Sequence, residues 1–232
     1  MHFMCGRYSI TSPLEAINNL FQVDAKTNLA PRFNVAPSQP VPAVRATDKG
    51  REFTFFLWGL IPSWAKDPTI SNKLINARSE TAAEKPSFRG AYRYRRCLLP
   101  ADGFFEWTGK KGEPKQPWLI SVDQEGPLAF AGLWEHWTDP NGSELETCTI
   151  LTTEAAPTIA HIHHRMPVIV KPADFESWLS APANDVESLL RPYDGTLTFH
   201  AVSKRVNSVA NDDAALLEPV TLEQPPKQLG LF

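Results

Sequence analysis

The chain has 232 residues, 42% of them hydrophobic and 21% charged, with a net charge of −3. That length suits one large domain, or at most two small ones, with a buried core, and the balance is that of an ordinary globular protein; a single domain over residues 1–232 is expected. The acidic sign excludes a broadly basic surface, so any nucleic-acid contact must use local cations.

The first predicted helix opens at Ser12-Pro13-Leu14-Glu15, with Ser12 as cap, Pro13 in the first turn and Glu15 closing a capping box. Leu14, Ile17 and Phe21 then share its core-facing side. Phe53 to Trp58 and Arg96 to Leu99 read as strands. Helix is expected over Glu80 to Tyr94, interrupted near Pro86. Pro117 to Val122, Leu128 to Trp137 and Glu146 to Thr152 read as successive antiparallel strands, joined by turns at Glu125-Gly126-Pro127 and Asp139-Pro140-Asn141-Gly142. A further turn is read at Gly109-Lys110-Lys111-Gly112. Pro167 to Val170 and Leu197 to Val202 are further strands, with helices over Asp174 to Leu179 and Asp185 to Leu190. The tail from Glu218 to Phe232 reads as irregular. The pattern predicts an α+β fold, mostly antiparallel, with peripheral helices.

Three widely spaced cysteines, Cys5, Cys97 and Cys148, suggest no disulfide framework and fit a reducing compartment. No apolar run approaches membrane-spanning length, so the cytoplasm is the expected location and no membrane partner is expected.

Four segments could carry chemistry. Cys5 follows Met4 directly, and a chain trimmed to start at Cys5 would carry an amine and a thiol two bonds apart. An amine attacks an aldehyde to form a Schiff base, and the adjacent thiol can close a thiazolidine on it. The plainer reading is a small buried residue in an N-terminal strand. Asn76, in Ile75-Asn76-Ala77-Arg78-Ser79-Glu80-Thr81, offers two donors and an acceptor, or else caps the helix that follows. Glu106 lies among the aromatics of Asp102-Gly103-Phe104-Phe105-Glu106-Trp107. Burial there would raise its pKa and make it a proton shuttle, and the alternative is a carboxylate facing outward from a strand. His161-Ile162-His163-His164 invites a metal, yet further ligands are not evident, and a single His acting as acid or base is the reading preferred. No metal and no cofactor are expected. Arg7, Arg78, Arg89, Arg93, Arg95, Arg96, Arg165, Lys204 and Arg205 could assemble a phosphate groove, with Trp58, Trp64 or Phe104 for base stacking.

These residues stand in motifs that come in a definite order. They are Met4-Cys5-Gly6-Arg7, Phe33-Asn34-Val35-Ala36-Pro37, Trp58-Gly59-Leu60-Ile61-Pro62, the Asn76 and Glu106 segments, His163-His164-Arg165-Met166-Pro167 and Val202-Ser203-Lys204-Arg205-Val206-Asn207. From Met4 to about Val209 the chain resembles the SOS-response-associated peptidase (SRAP) family, the abasic-site processing proteins. The resemblance implies a mixed fold around a partly closed, barrel-like β-sheet. It also implies a partner, single-stranded DNA containing abasic sites, whose ring-opened aldehyde is cross-linked by the N-terminal cysteine, with peptidase and lyase character besides. Carried over by motif, Cys5 is the nucleophile and Glu106 moves protons. His163 assists sugar ring opening, with His161 the fallback, and Asn76 positions the lesion or the thiol. Arg7, Asn34, Arg78 and Arg165 hold phosphates or shape the pocket, and Trp64 packs on DNA. Adjacent arginines are expected to lower the Cys5 thiol pKa. A monomer is expected.

The departure from the family pattern is Met1-His2-Phe3, which would leave Cys5 internal. A start at Met4 is the preferred account, against trimming in the cell or loss of cross-linking. Two rivals use the same residues. One is a cysteine peptidase built on Cys5, His163 and Asn76, and the other a non-catalytic single-strand-binding module.

Overall fold

The aromatic and β-branched runs pair with one another over long stretches, and that pairing organises the computed structural model, which describes residues 5–109, 112, 114–139 and 141–222. From the amino end, β1 (Tyr8–Ile10) leads into α1 (Leu14–Phe21), followed by β2 (Arg32–Val35), β3 (Pro40–Thr47), β4 (Gly50–Trp58) and β5 (Asn76–Arg78). Two short helices, α2 (Ser79–Ala82) and α3 (Arg89–Tyr94), precede β6 (Arg96–Ala101), β7 (Gly103–Thr108), β8 (Gln116–Val122), β9 (Leu128–Thr138) and β10 (Glu144–Glu154). Then come β11 (Arg165–Pro167), β12 (Ile169–Val170), α4 (Phe175–Ser180) and β13 (Leu197–Ala201).

Strands β4, β3, β6, β9 and β10 pair in that order, and β10 returns to β4, closing a five-stranded barrel. Closure removes the free edges an open sheet would expose. The other sheet runs β13-β8-β7-β1-β2, antiparallel throughout. Aromatic side chains join the two. The Tyr8 ring lies 5.4 Å from Trp58 and 5.8 Å from Phe130, and Phe104 lies 6.1 Å from Phe130. The opposite face of the sheet is covered by a smaller cluster of Phe105, Leu119, Val202, Val206 and Leu216. The fold is thus α+β, mostly antiparallel, around a closed barrel.

Several expectations change in detail. Strand β8 does not neighbour β9 but belongs to the other sheet, whereas β9 and β10 form the expected hairpin. The stretch 167–170 is divided between β11, on β10, and β12, on β9. Residues 185–190 form 3₁₀ turns rather than an α-helix. Strand β3 went unread because Pro40 and Pro42 argue against a strand, and both sit in it all the same. The turns read at 109–112 and 139–142 include Lys110, Lys111 and Pro140, which lie outside the described residues, as does the tail from residue 223. Within the described part of that tail, Pro219 bridges to Val202.

Helix α1 buries Ile17 and Phe21 as expected, and Phe21 stacks on Phe175 with ring centroids 5.1 Å apart. Its start is built differently. Ser12 does not cap the helix, since its hydroxyl donates to Asp102 Oδ1 at 2.6 Å. The other carboxylate oxygen accepts the backbone N–H groups of Thr11 and Ser12 and the Thr11 hydroxyl. Asp102 therefore clamps the end of β1 to the start of β7. Asp102→Ala leaves these donors without their anionic partner, and a loss of about 2–3 kcal/mol is expected, measured by urea unfolding. A change below 0.5 kcal/mol would dismiss the clamp.

Candidate active site

Antiparallel pairing of β1 with β7 places Tyr8 opposite Phe104, and Phe105 N–H donates to Arg7 C=O at 3.0 Å. Continued toward the amino terminus, this register carries Glu106 alongside Gly6 and Cys5. Glu106 Oε1 accepts the Cys5 backbone N–H at 2.7 Å. Both residues are buried. Cys5 has φ +39°, in the left-handed region that L-residues adopt at a cost.

Strand β10 supplies the remaining groups. Strand β5 runs parallel to it, with Asn76 opposite Ile150, and β11 pairs antiparallel further along, with Arg165 opposite Glu154. Asn76 Nδ2 reaches the Cys5 carbonyl at 3.4 Å. His163 lies two residues before β11, and its Nδ1 stands 3.7 Å from Glu106 Oε1. The same Nδ1 is 3.1 Å from the Arg165 N–H and 3.2 Å from the Arg165 carbonyl. Thus Cys5, Glu106, His163 and Asn76, spread over 158 positions of sequence, meet at one point.

Electrostatics at this point are set by burial. Loss of solvent raises the Glu106 pKa to about 8, against the opposing pull of the Cys5 and Trp107 N–H groups and the Lys115 charge. Glu106 is accordingly a neutral acid at pH 7, close to the pKa that suits proton transfer. The Cys5 thiol is also pushed well up, first by burial and then by the Glu106 charge. This reverses the expectation that arginines would lower it. Beside the site, Gly6, Arg7, Pro37, Asn72, Ile75 and Trp107 line a cleft of about 350 Å³.

The five residues read as DNA contacts divide into groups. Arg7 Nη1 donates to Asn34 Oδ1 at 2.9 Å and to the Val206 carbonyl at 2.7 Å. Asn34 Nδ2 is within 3.2 Å of the carbonyls of Val206, Ser208 and Asn211. Together they fasten the 206–211 segment to β1 and β2, while Arg7 keeps one side on the cleft. Arg165 is buried and forks onto both oxygens of Glu80, whose pKa it lowers, and also onto the Thr152 carbonyl. Arg78 is exposed near Glu80. Trp64 is 58% exposed over a separate hollow lined by Ala65, Lys66, Asp67, Thr69, Ile70 and Lys73.

Other candidates are redirected. Trp58 and Phe104 are core residues without a stacking surface. Arg96 is buried and donates to the carbonyls of Tyr92, Arg93, Trp178 and Ala181, so it leaves the proposed phosphate groove. Residues 161–164 form turns rather than a strand, and His161 instead packs on Phe199, 5.2 Å between rings. Among the described residues no group of three or more His, Cys, Asp or Glu is placed to hold a metal. Sequence reasoning missed Asn72, which carries no local signal, and Lys115. It passed over Trp107 and Pro37, although both sit in motifs it had singled out.

Comparison with known proteins places the chain in a family. The family model described as SOS response associated peptidase (SRAP) matches residues 4–209. The abasic site processing protein YoqW of Bacillus subtilis is 40% identical over 222 residues, covering 93% of this chain and 99% of its own. The abasic site processing protein YoaM of the same organism is 41% identical over 223 residues, covering 93% and 98%. A crystal structure of a protein from Bacteroides thetaiotaomicron superposes with a TM-score of 0.83 at 29% identity, over 94% of this chain and all of that one. With the matched stretch containing every residue that meets at Cys5, the chain belongs to the SOS response associated peptidase family.

Proposed function

We propose that this chain processes abasic sites in single-stranded DNA by capturing their ring-opened aldehyde covalently on Cys5, once Cys5 is the first residue. The observation that carries this reading is the 2.7 Å contact between the Cys5 nitrogen and Glu106 Oε1. An acid with its pKa near neutrality is aimed at the one backbone nitrogen that trimming would turn into an amine. The positive φ supports the same reading. It is strained only while a preceding carbonyl is attached, so release of the terminus relieves it.

The proposed sequence conserves atoms. The uncharged amine adds to the aldehyde carbon to give a carbinolamine. Glu106 or His163 then protonates its hydroxyl, which leaves as water, and an imine remains. The thiol adds to the imine carbon, its proton passing to the nitrogen, and a thiazolidine is closed with net loss of one water. In this reading His163 exchanges protons with the sugar hydroxyl during ring opening, and Asn76 holds the Cys5 carbonyl and so the direction of the amine; their closeness to Glu106 and to Cys5 supports it. Before the thiol adds, the imine also acidifies the neighbouring sugar C–H, which opens a β-elimination route and hence lyase activity. A raised thiol pKa favours this amine-first order over a peptidase attacking through an internal thiolate. Arg7 and Arg78 bias the surroundings toward phosphate, with Asn34 shaping the Arg7 side, Arg165 shaping the pocket through its pairing with Glu80, and Trp64 as an outlying stacking surface.

A version starting at Met4, mixed with a short strand bearing one abasic site, is expected to show an intact mass equal to protein plus DNA minus one water. Cys5→Ala retains at most an imine that must be trapped with borohydride. Glu106→Gln slows adduct formation by about 10²–10⁴-fold. Binding without any adduct from the processed protein would replace this reading with the binding module.

Glu106 also leaves a thermodynamic mark in a chain whose Cys5 is still acylated. Its folded pKa of about 8 lies above the ordinary 4.5. Between those values the folded chain holds a proton that the unfolded chain has released. The contribution of Glu106 to stability is therefore full below about pH 4.5 and is lost as pH rises through 8. The melting temperature of Glu106→Gln relative to the parent should climb from pH 5 to pH 8, and a constant difference would count against a buried neutral acid.

A further inference from the structure

Beyond the cleft, the sheet that carries Glu106 holds an aromatic group that the capture chemistry does not use. Glu106 is directly opposite Trp118 on β8, and Trp118 is directly opposite Ala201 on β13. Residues opposite one another share a face, and so do residues two apart, so Trp118 and Phe199 stand on the same face as Glu106. On that face Phe104 and Ile120 are buried in the core, in the same row as Phe199, which lies beyond them on the edge strand β13. Toward the β13 edge of the sheet the face opens. Phe199 is 37% exposed and Trp118 half-buried, with their rings 6.0 Å apart. The exposed His161 ring lies 5.2 Å from Phe199, and His161 is two residues from His163. Lys115, just before β8, is near enough for its charge to act on Glu106.

We infer that Trp118, Phe199 and His161 form a ledge on which nucleobases flanking the captured lesion stack. The inference rests on the capture reading above and adds the ligand class, unpaired bases, and the place where they sit. Several features favour bases over an apolar protein surface. Every base offers a π-face, so aromatic rings beside a cation make a sequence-tolerant seat for a single strand. The ledge also sits next to the proton-transfer pair rather than on a remote face, and its residues come from β8, β13 and the 161–164 turn, the last of which also carries His163. Trp118 is held in orientation by its indole N–H, which donates to Thr108 Oγ1 at 2.9 Å. A strand entering over the cleft at Arg7 would pass Cys5 and leave over this ledge.

The test uses the version starting at Met4, with Phe199→Ala and Phe199→Trp compared by fluorescence anisotropy on a labelled strand carrying one abasic site. Phe199→Ala should weaken binding about tenfold, and Phe199→Trp should restore it. The adduct rate at saturating DNA should stay within twofold of the parent in both, since Phe199 touches no reacting atom. A second strand carries abasic spacers in place of the bases flanking the lesion. It should bind the parent more weakly but lose nothing further with Phe199→Ala. Unchanged affinity in Phe199→Ala, or equal losses on both strands, overturns the ledge. Failure of the parent to form an adduct while the affinity pattern holds would instead remove the capture reading and leave the ledge standing.

Discussion

Everything at the site depends on a carboxyl group held out of water against a backbone nitrogen. A glutamate buried without a full counter-charge loses much of its hydration, and it answers by keeping its proton. In Glu106 that response places an acid titrating at about 8 within 2.7 Å of the Cys5 nitrogen. Were the nitrogen a free ammonium, its charge would favour the carboxylate, and the two groups would share one proton as a coupled pair. Such a pair can release a neutral amine near neutral pH and return the proton later. The same burial keeps the thiol protonated, which in the proposed capture would make it act second, once an electrophilic imine carbon stood beside it.

The fold exists around this pair in a literal sense. The barrel is closed by β10 returning to β4, and β10 then runs on to hold β5 on one side and β11 on the other. That extension carries Asn76 and the His163 turn to the mouth of the second sheet, where β1 and β7 bring Cys5 and Glu106. Asp102 pins the junction of those two strands, and the Arg7–Asn34 network pins the 206–211 segment over their flank. Side chains that look like phosphate binders from composition are thus partly committed to structure. Arg165 is similarly engaged by Glu80, which neutralises it while keeping it planar and oriented.

How far the sequence could be read varies by element and for definable reasons. Strands β9 and β10 were legible because alternating apolar runs flank a turn rich in Asp, Asn and Gly. Helix α1 was legible from Ile17 and Phe21, yet its start was misassigned, because the Asp102 clamp on Ser12 lies 90 positions away. Strand β3 was hidden by its prolines. Among site residues, Glu106 was legible through its aromatic neighbours, which foretell burial. The direction of the Cys5 thiol was not, since nearby arginines in sequence say nothing about which charges face the sulfur.

By itself the sequence determined the chemical cast: an amine and thiol in one residue, a carboxyl among aromatics, an imidazole beside an arginine, and motifs in an order that marks a family. Those properties are local, written in residue type and adjacent neighbours. Only the tertiary structure decided which of them meet, because strand register and barrel closure set distances between residues a hundred positions apart. It also decided their protonation, because a pKa follows burial and facing charges rather than sequence position. And it separated Trp58 and Phe104, sealed in the core, from Trp118 and Phe199, more open to solvent on β8 and the edge strand β13, a difference set by where the two sheets pack and invisible in composition.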